Sequence, residues 1–151
     1  MDKKQKKVIS ETTEELFKLL GIKGDFQVVE KEDSVDIVLA TDEGGIIIGR
    51  HGDTLESLQL VLSLCAAKKL GEFKRISLEV GDYKKNRIDW LNVIAKETKE
   101  RVLSQGAEVA IPELKSWERR VVHLLLEKDE AVISESRGEG RDRVLIVKPR
   151  Q

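Results

Sequence analysis

Gly49-Arg50-His51-Gly52 sets two basic side chains between glycines, directly after Ile46-Ile47-Ile48 and directly before a leucine-spaced segment. Three chemistries use glycines in this way. A phosphate-binding P-loop would take Gly44 and Gly49 as its glycines, but it then needs Lys followed by Ser or Thr, where this chain has Arg50 and His51. A dinucleotide site needs Gly-x-Gly-x-x-Gly, which is absent. The third is a clamp for a sugar-phosphate backbone. There Gly49 and Gly52 keep Cβ atoms out of the way of the strand, and the helix that follows offers N–H groups and the positive end of its dipole. Arg50 adds a charge-assisted hydrogen bond to phosphate, with His51 and Thr54 beside it. The rival reading is a tight helix–helix turn whose Arg and His merely face solvent, and the tetrapeptide alone does not choose between the two.

A second constellation lies near the C-terminus. Arg119 and His123 are four positions apart in "SWERRVVHLLLEKD", so on a helix they stand one above the other on one face, with Arg120 adjacent. The stretch "RGEGRDR" adds Arg137, Arg141 and Arg143, and residues 131–151 carry five Lys+Arg against three Asp+Glu. Guanidinium forks suit phosphates, and an imidazole can donate a hydrogen bond or stack. Read without that excess of base, the pair is a solvated helix side with a partly buried histidine. Trp117, nearly two turns before His123, is expected to anchor the helix to a sheet.

Catalysis finds little to work with. The chain has two histidines, both in basic settings, no His/Cys cluster with metal-ligand spacing, and carboxylates that read as solvated helix faces. Cys65 sits in the apolar run "LVLSLCAAKKL" and is expected to be a small buried hydrophobe. A single cysteine, no signal-peptide pattern and no apolar run approaching ~18 residues point to a cytoplasmic protein without membrane insertion. Neither a cofactor nor a metal is expected. Hydrophobic residues make up 40% and charged residues 36%, in keeping with a globular chain under a heavily charged surface. Residues 1–81 carry 12 Lys+Arg against 15 Asp+Glu, a net −3, and residues 82–151 carry 15 against 13, a net +2. Any anionic partner is therefore held by local clusters and not by a global field.

The elements that position these residues follow from periodicity. "SETTEELFKLLGIKG" reads as a helix capped by Ser10, with Leu16, Leu19 and Leu20 as its apolar face. Phe26–Glu30 and Val35–Leu39 read as a hairpin across the polar turn 31–34. The isoleucine run and the glycine loop lead into a helix with Leu55, Leu58, Val61, Leu62 and Cys65 on one stripe and Gly71 at its end. Ile76, Leu78 and Val80 then alternate as a strand. After the join near 81–83, Ile88, Leu91, Ile94, Ala95, Thr98 and Val102 mark a long helix stopped by Gly106. "AEVAIPEL" reads as a short strand, and "SWERRVVHLLLEKDE" as a helix burying Val121, Val122, Leu124 and Leu125. "AVISES" and "VLIVKPR" read as a hairpin around the charged loop. The fold class is α+β in two modules, residues 1–81 ordered α-β-β-α-α-β and residues 82–151 ordered α-β-α-β-β.

"IIIGRHGDTLESLQLVL" resembles the signature of the KH domain, and the element order of residues 1–81 matches its bacterial, type II arrangement. A KH loop clamps about four nucleotides of a single strand, which favours the clamp for Gly49–Gly52. "RRVVH", "SESRGEGRDR" and "VLIVKP" resemble the R-three-H domain, a small module associated with single-stranded nucleic acid. That resemblance implies an exposed phosphate-binding face at Arg119 and His123. Arg143 joins them on the expected position of the hairpin, with Arg120 and Arg141 alongside. The two modules in this order resemble the Jag family, the SpoIIIJ-associated RNA-binding proteins also called KhpB.

The resemblance implies an RNA-binding protein that acts post-transcriptionally, with single-stranded RNA as partner and single-stranded DNA as a competitor to test. It also implies a small stand-alone KH protein as a second partner. Family members often carry an additional N-terminal domain and linker, whereas here the chain opens at the KH helix, so the family's insertase, sporulation and cell-elongation links are not carried over. The alternative function is a protein-interaction scaffold. Asp42, Glu43, Asp53 and Glu56 flank the loop and oppose phosphate, and aromatic residues for base stacking are few.

Overall fold

The computed structural model describes all 151 residues. They form two compact units, Met1–Lys84 and Lys85–Gln151. In the first, helix α1 spans Lys3–Leu20, opening well before the expected cap at Ser10. The run "KKQKK" has no apolar residue to betray a helix, yet Lys and Gln are good helix formers. Asp2 accepts the Gln5 N–H at 2.7 Å while the Gln5 side chain accepts the Asp2 N–H at 3.2 Å, a reciprocal cap. Gly21, in the left-handed conformation, ends the helix.

Strands β1 (Asp25–Glu30) and β2 (Val35–Ala40) pair antiparallel, and β3 (Ile76–Val80) pairs parallel to β2, in the order β1-β2-β3. A parallel pair needs a long crossover, and helices α2 (Gly44–Ile48) and α3 (Asp53–Leu70) fill it. Val35, Ile37 and Leu39 of β2 and Ile76, Leu78 and Val80 of β3 point into one core with Ile9, Phe17, Leu58 and Leu62. The Phe17 and Phe26 rings meet edge to face at 5.6 Å. On α3 the buried stripe is Leu55, Leu58, Leu62 and Ala66. Val61, expected inside, is exposed together with Leu60 and Leu64, and Cys65 is half-buried. Residues 60–67, LVLSLCAA, are all small or apolar, so their periodicity does not fix which face turns inward.

The second unit contains α4 (Tyr83–Gln105, which begins in the first), β4 (Val109–Ile111), α5 (Ser116–Leu126), β5 (Val132–Arg137) and β6 (Val144–Pro149). β6 is the central strand, antiparallel to both neighbours. Leu91, Ala95 and Val102 of α4 and Val122 and Leu126 of α5 close a core over Val132, Leu145 and Val147. Trp117 packs against this core as expected, whereas Leu124 and Leu125 face solvent. The inner side of α5 is instead formed by Glu118, Val122 and Leu126, and Glu118 is fully buried.

Candidate nucleic-acid interface

The glycine loop is built almost wholly from left-handed backbone. Gly49 has φ 69° and ψ −171°, His51 φ 53°, and Gly52 φ 78°. Gly49 closes α2 by donating to Gly45 O at 3.0 Å, and a single 3₁₀ turn, Arg50–Gly52, leads straight into α3. Ile47 is the buried anchor of α2, while Ile46 is 80% exposed beside the loop. Arg50 and His51 both lie on the surface, and Arg50 has no ion-pair partner within the chain.

Both glycines are also required from inside. A Cβ on Gly49 would collide with Thr54 Oγ1, and one on Gly52 would stand 2.8 Å from the Tyr83 hydroxyl. Gly52 itself is buried. Thr54 thus braces the loop from the first turn of α3. That turn also carries Asp53 and Glu56, acidic groups at the positive end of the helix dipole.

In the second unit, Nδ1 of His123 lies 2.7 Å from Ser134 Oγ, which ties α5 to β5 and leaves Nε2 as the other polar atom of an exposed ring. Arg119 is only half-exposed. Its Nη1 donates to Leu114 O at 2.6 Å and its Nη2 to Ser116 Oγ at 3.1 Å, so the guanidinium folds back over the start of α5. Arg120 is exposed. Arg141 and Arg143 lie in the loop between β5 and β6, both exposed and without ion pairs. Arg137 differs: both arms of its guanidinium bind Glu108 at 3.0 Å, and Glu135 accepts from it at 2.6 Å. Lys148 also pairs with Glu135, so two of the five basic side chains of residues 131–151 are neutralised within the fold. Hydrogen bonds from Arg137 hold the carboxyls of Glu108 and Glu135 below the usual carboxylate range.

Sequence reasoning missed the buried carboxylate of Glu118. It accepts from Arg87 Nε at 2.5 Å, from Arg87 Nη2 at 3.3 Å and from the Lys115 N–H at 2.9 Å. The glutamate three residues after Lys115 was the available signal, a helix-capping spacing. Three or more metal-ligating side chains do not gather anywhere in the chain. No helix is long and apolar enough to cross a membrane.

These are the parts of a two-module protein, a KH unit followed by an R-three-H unit. The family model described as "KhpA/KhpB, KH domain" matches residues 6–80, and the R-three-H domain model matches residues 89–149. The chain belongs to the KhpB family. It is 32% identical over 139 residues to the RNA-binding protein KhpB of Clostridium symbiosum, covering 91% of this chain and 63% of that relative. It is 24% identical over 127 residues to the KhpB of Bacillus subtilis, covering 83% and 61%, and 28% identical over 114 residues to that of Streptococcus pneumoniae, covering 76% and 35%. The chain thus spans between about a third and two thirds of the length of these relatives.

Proposed function

We propose that the chain binds single-stranded RNA on two neighbouring segments and acts post-transcriptionally in the cytoplasm, as an RNA chaperone or regulator and not as a catalyst. The division of labour falls at the turn after β3, between residues 1–81 and 82–151. Gly49, Arg50, His51, Gly52 and Thr54 hold one segment by its backbone, and Arg119, Arg120, His123, Arg141 and Arg143 hold the next. The observation that carries the reading is the loop. Left-handed backbone at three of its four residues presents Arg50 and His51 outward from between two helices, and a non-glycine residue held there costs on the order of 1–2 kcal/mol. Strain of that size is tolerated where the exposed side chains have work to do. The relatives named as RNA-binding proteins support RNA as the ligand.

A protein partner is part of the same proposal. Leu60 and Leu64 of α3 are 59% and 55% exposed and lie with Val61 on one side of the helix. This apolar stripe suits a small stand-alone KH protein.

The test is fluorescence anisotropy of a labelled single-stranded RNA at two salt concentrations. Wild type should lose affinity as salt rises, by about 0.7 in log–log slope per phosphate contacted. Arg50→Asp with His51→Asp should abolish most of the binding while the thermal transition stays in place. Binding indifferent to both salt and loop would leave the scaffold reading.

A further inference from the structure

We infer that Trp90 is a stacking platform for a base of the strand held by the second module, an assignment that rests on the RNA-binding reading above. Trp90 projects from α4 and is 41% exposed. The guanidinium carbon of Arg87 sits 4.0 Å from its ring centroid, and Arg87 is in turn fixed by the buried carboxylate of Glu118. Glu118 Oε2 accepts the Lys115 N–H at 2.9 Å, while the carbonyl of that same peptide group, Leu114 O, accepts from Arg119 at 2.6 Å. One peptide unit at the start of α5 therefore ties the Trp90–Arg87 pair on one side to the Arg119 guanidinium on the other. A strand whose phosphate is held at that end of α5 passes a tryptophan whose ring is already immobilised.

The other aromatics sharpen the assignment. Phe17, Phe26 and Tyr83 pack with the first core and Trp117 with the second, which leaves Phe73 and Trp90 as the exposed rings, only Trp90 in the second unit. An ion pair needing only a cover would be served by a leucine. A flat indole with a cation on one face and 41% of its surface exposed has the makeup of a single-strand platform, where base stacking and Arg cation–π contact act together.

The experiment uses the full chain with Trp117→Phe, so that emission reports Trp90. It is titrated with an oligoadenylate and with an abasic oligonucleotide of the same length and backbone. Oligoadenylate should quench the indole and shield it from iodide, and the abasic strand should do neither. Trp90→Leu should weaken oligoadenylate binding by several-fold to about a hundred-fold. Its affinity for the abasic strand and its salt slope should not move, and Trp90→Phe should recover much of the loss. RNA binding that is salt-sensitive and loop-dependent, with Trp90 unquenched and open to iodide, would overturn the stacking role and leave the RNA reading intact. Equal losses on both probes would make Trp90 a structural cover. Failure of wild type to bind either probe would sink both readings.

Discussion

Gly52 and Tyr83 touch across the turn that opens α3: a Cβ on the glycine would come within 2.8 Å of the phenol oxygen. The loop glycine is thus fixed by the packing of its own domain as well as by its left-handed φ of 78°. Gly52→Ala should cost roughly 1–3 kcal/mol in urea unfolding. Part of that is relieved by removing the hydroxyl, so Gly52→Ala with Tyr83→Phe should be less destabilised than the sum of the single variants. Strict additivity would show that backbone conformation alone dictates the glycine. Substitution of Arg50, which is exposed and has no ion pair within the chain, is for this reason a cleaner probe of binding than substitution of the glycines.

The Arg87–Glu118 pair makes the second prediction. Glu118 keeps 1% of its side-chain surface and Arg87 keeps 15%, so removing one partner strands the other out of water. Arg87→Ala should destabilise the fold by about 3–5 kcal/mol. Glu118→Gln, which keeps an oxygen for the Lys115 N–H, should cost less than Glu118→Ala, which loses the cap as well. Denaturant midpoints of the three variants decide it, and near-wild-type stability for Arg87→Ala would refute the pairing.

Glu118 also marks where the sequence stops being readable. β1, β2 and β3 were legible because alternation and turn residues bracket them; Ile76, Leu78 and Val80 can face only one way. The place of the loop between two helices was legible from its glycines, but the tetrapeptide alone fits a plain turn as well as a clamp. The phase of α3 was not, since Leu60, Leu62 and Leu64 look alike in composition and only packing against β2 and β3 selects Leu62. The state of Arg119 and Arg137 was hidden for another reason. A charge count sees their basicity but not Leu114 O or Glu108, which the fold brings to them.

Acid should weaken the second unit first. Arg137 lowers the folded-state titration of Glu108 and Glu135, and Lys99 lowers that of Asp129. A carboxyl depressed in the folded state contributes stability above its unfolded value, near 4, and that contribution is lost as pH falls through the folded value. The urea midpoint should therefore drop on going from about pH 5 to pH 3. Arg137→Gln should flatten part of the drop, and added salt should shrink that part because Arg137, Glu108 and Glu135 keep between 41% and 49% of their side-chain surface. At the other end Lys31 is raised by Asp36. Its contribution holds below the unfolded lysine value and is lost as pH rises through the folded one.

The proposed pair of weak sites on one strand predicts a dependence on length. Arg119 holds the start of α5 through Leu114 O and Ser116, so replacing it confuses folding with binding. Arg120 and Arg143 are exposed and unpaired and carry no such burden. Arg120→Ala with Arg143→Ala should leave affinity for an RNA just long enough for the glycine loop within about twofold of wild type, since the loop is untouched. On an RNA that spans both modules the same variant should lose much of the gain that linkage supplies, a gain on the order of 10²–10⁴ when both sites engage. Its salt slope should fall by about 1.4, two contacts at ~0.7 each. The loop variant, in contrast, should lose the short RNA outright and keep a weak, shallow binding of the long one. Equal losses on short and long RNA for Arg120→Ala with Arg143→Ala would mean that the second module does not hold a neighbouring segment, and the KH loop would then be the sole site.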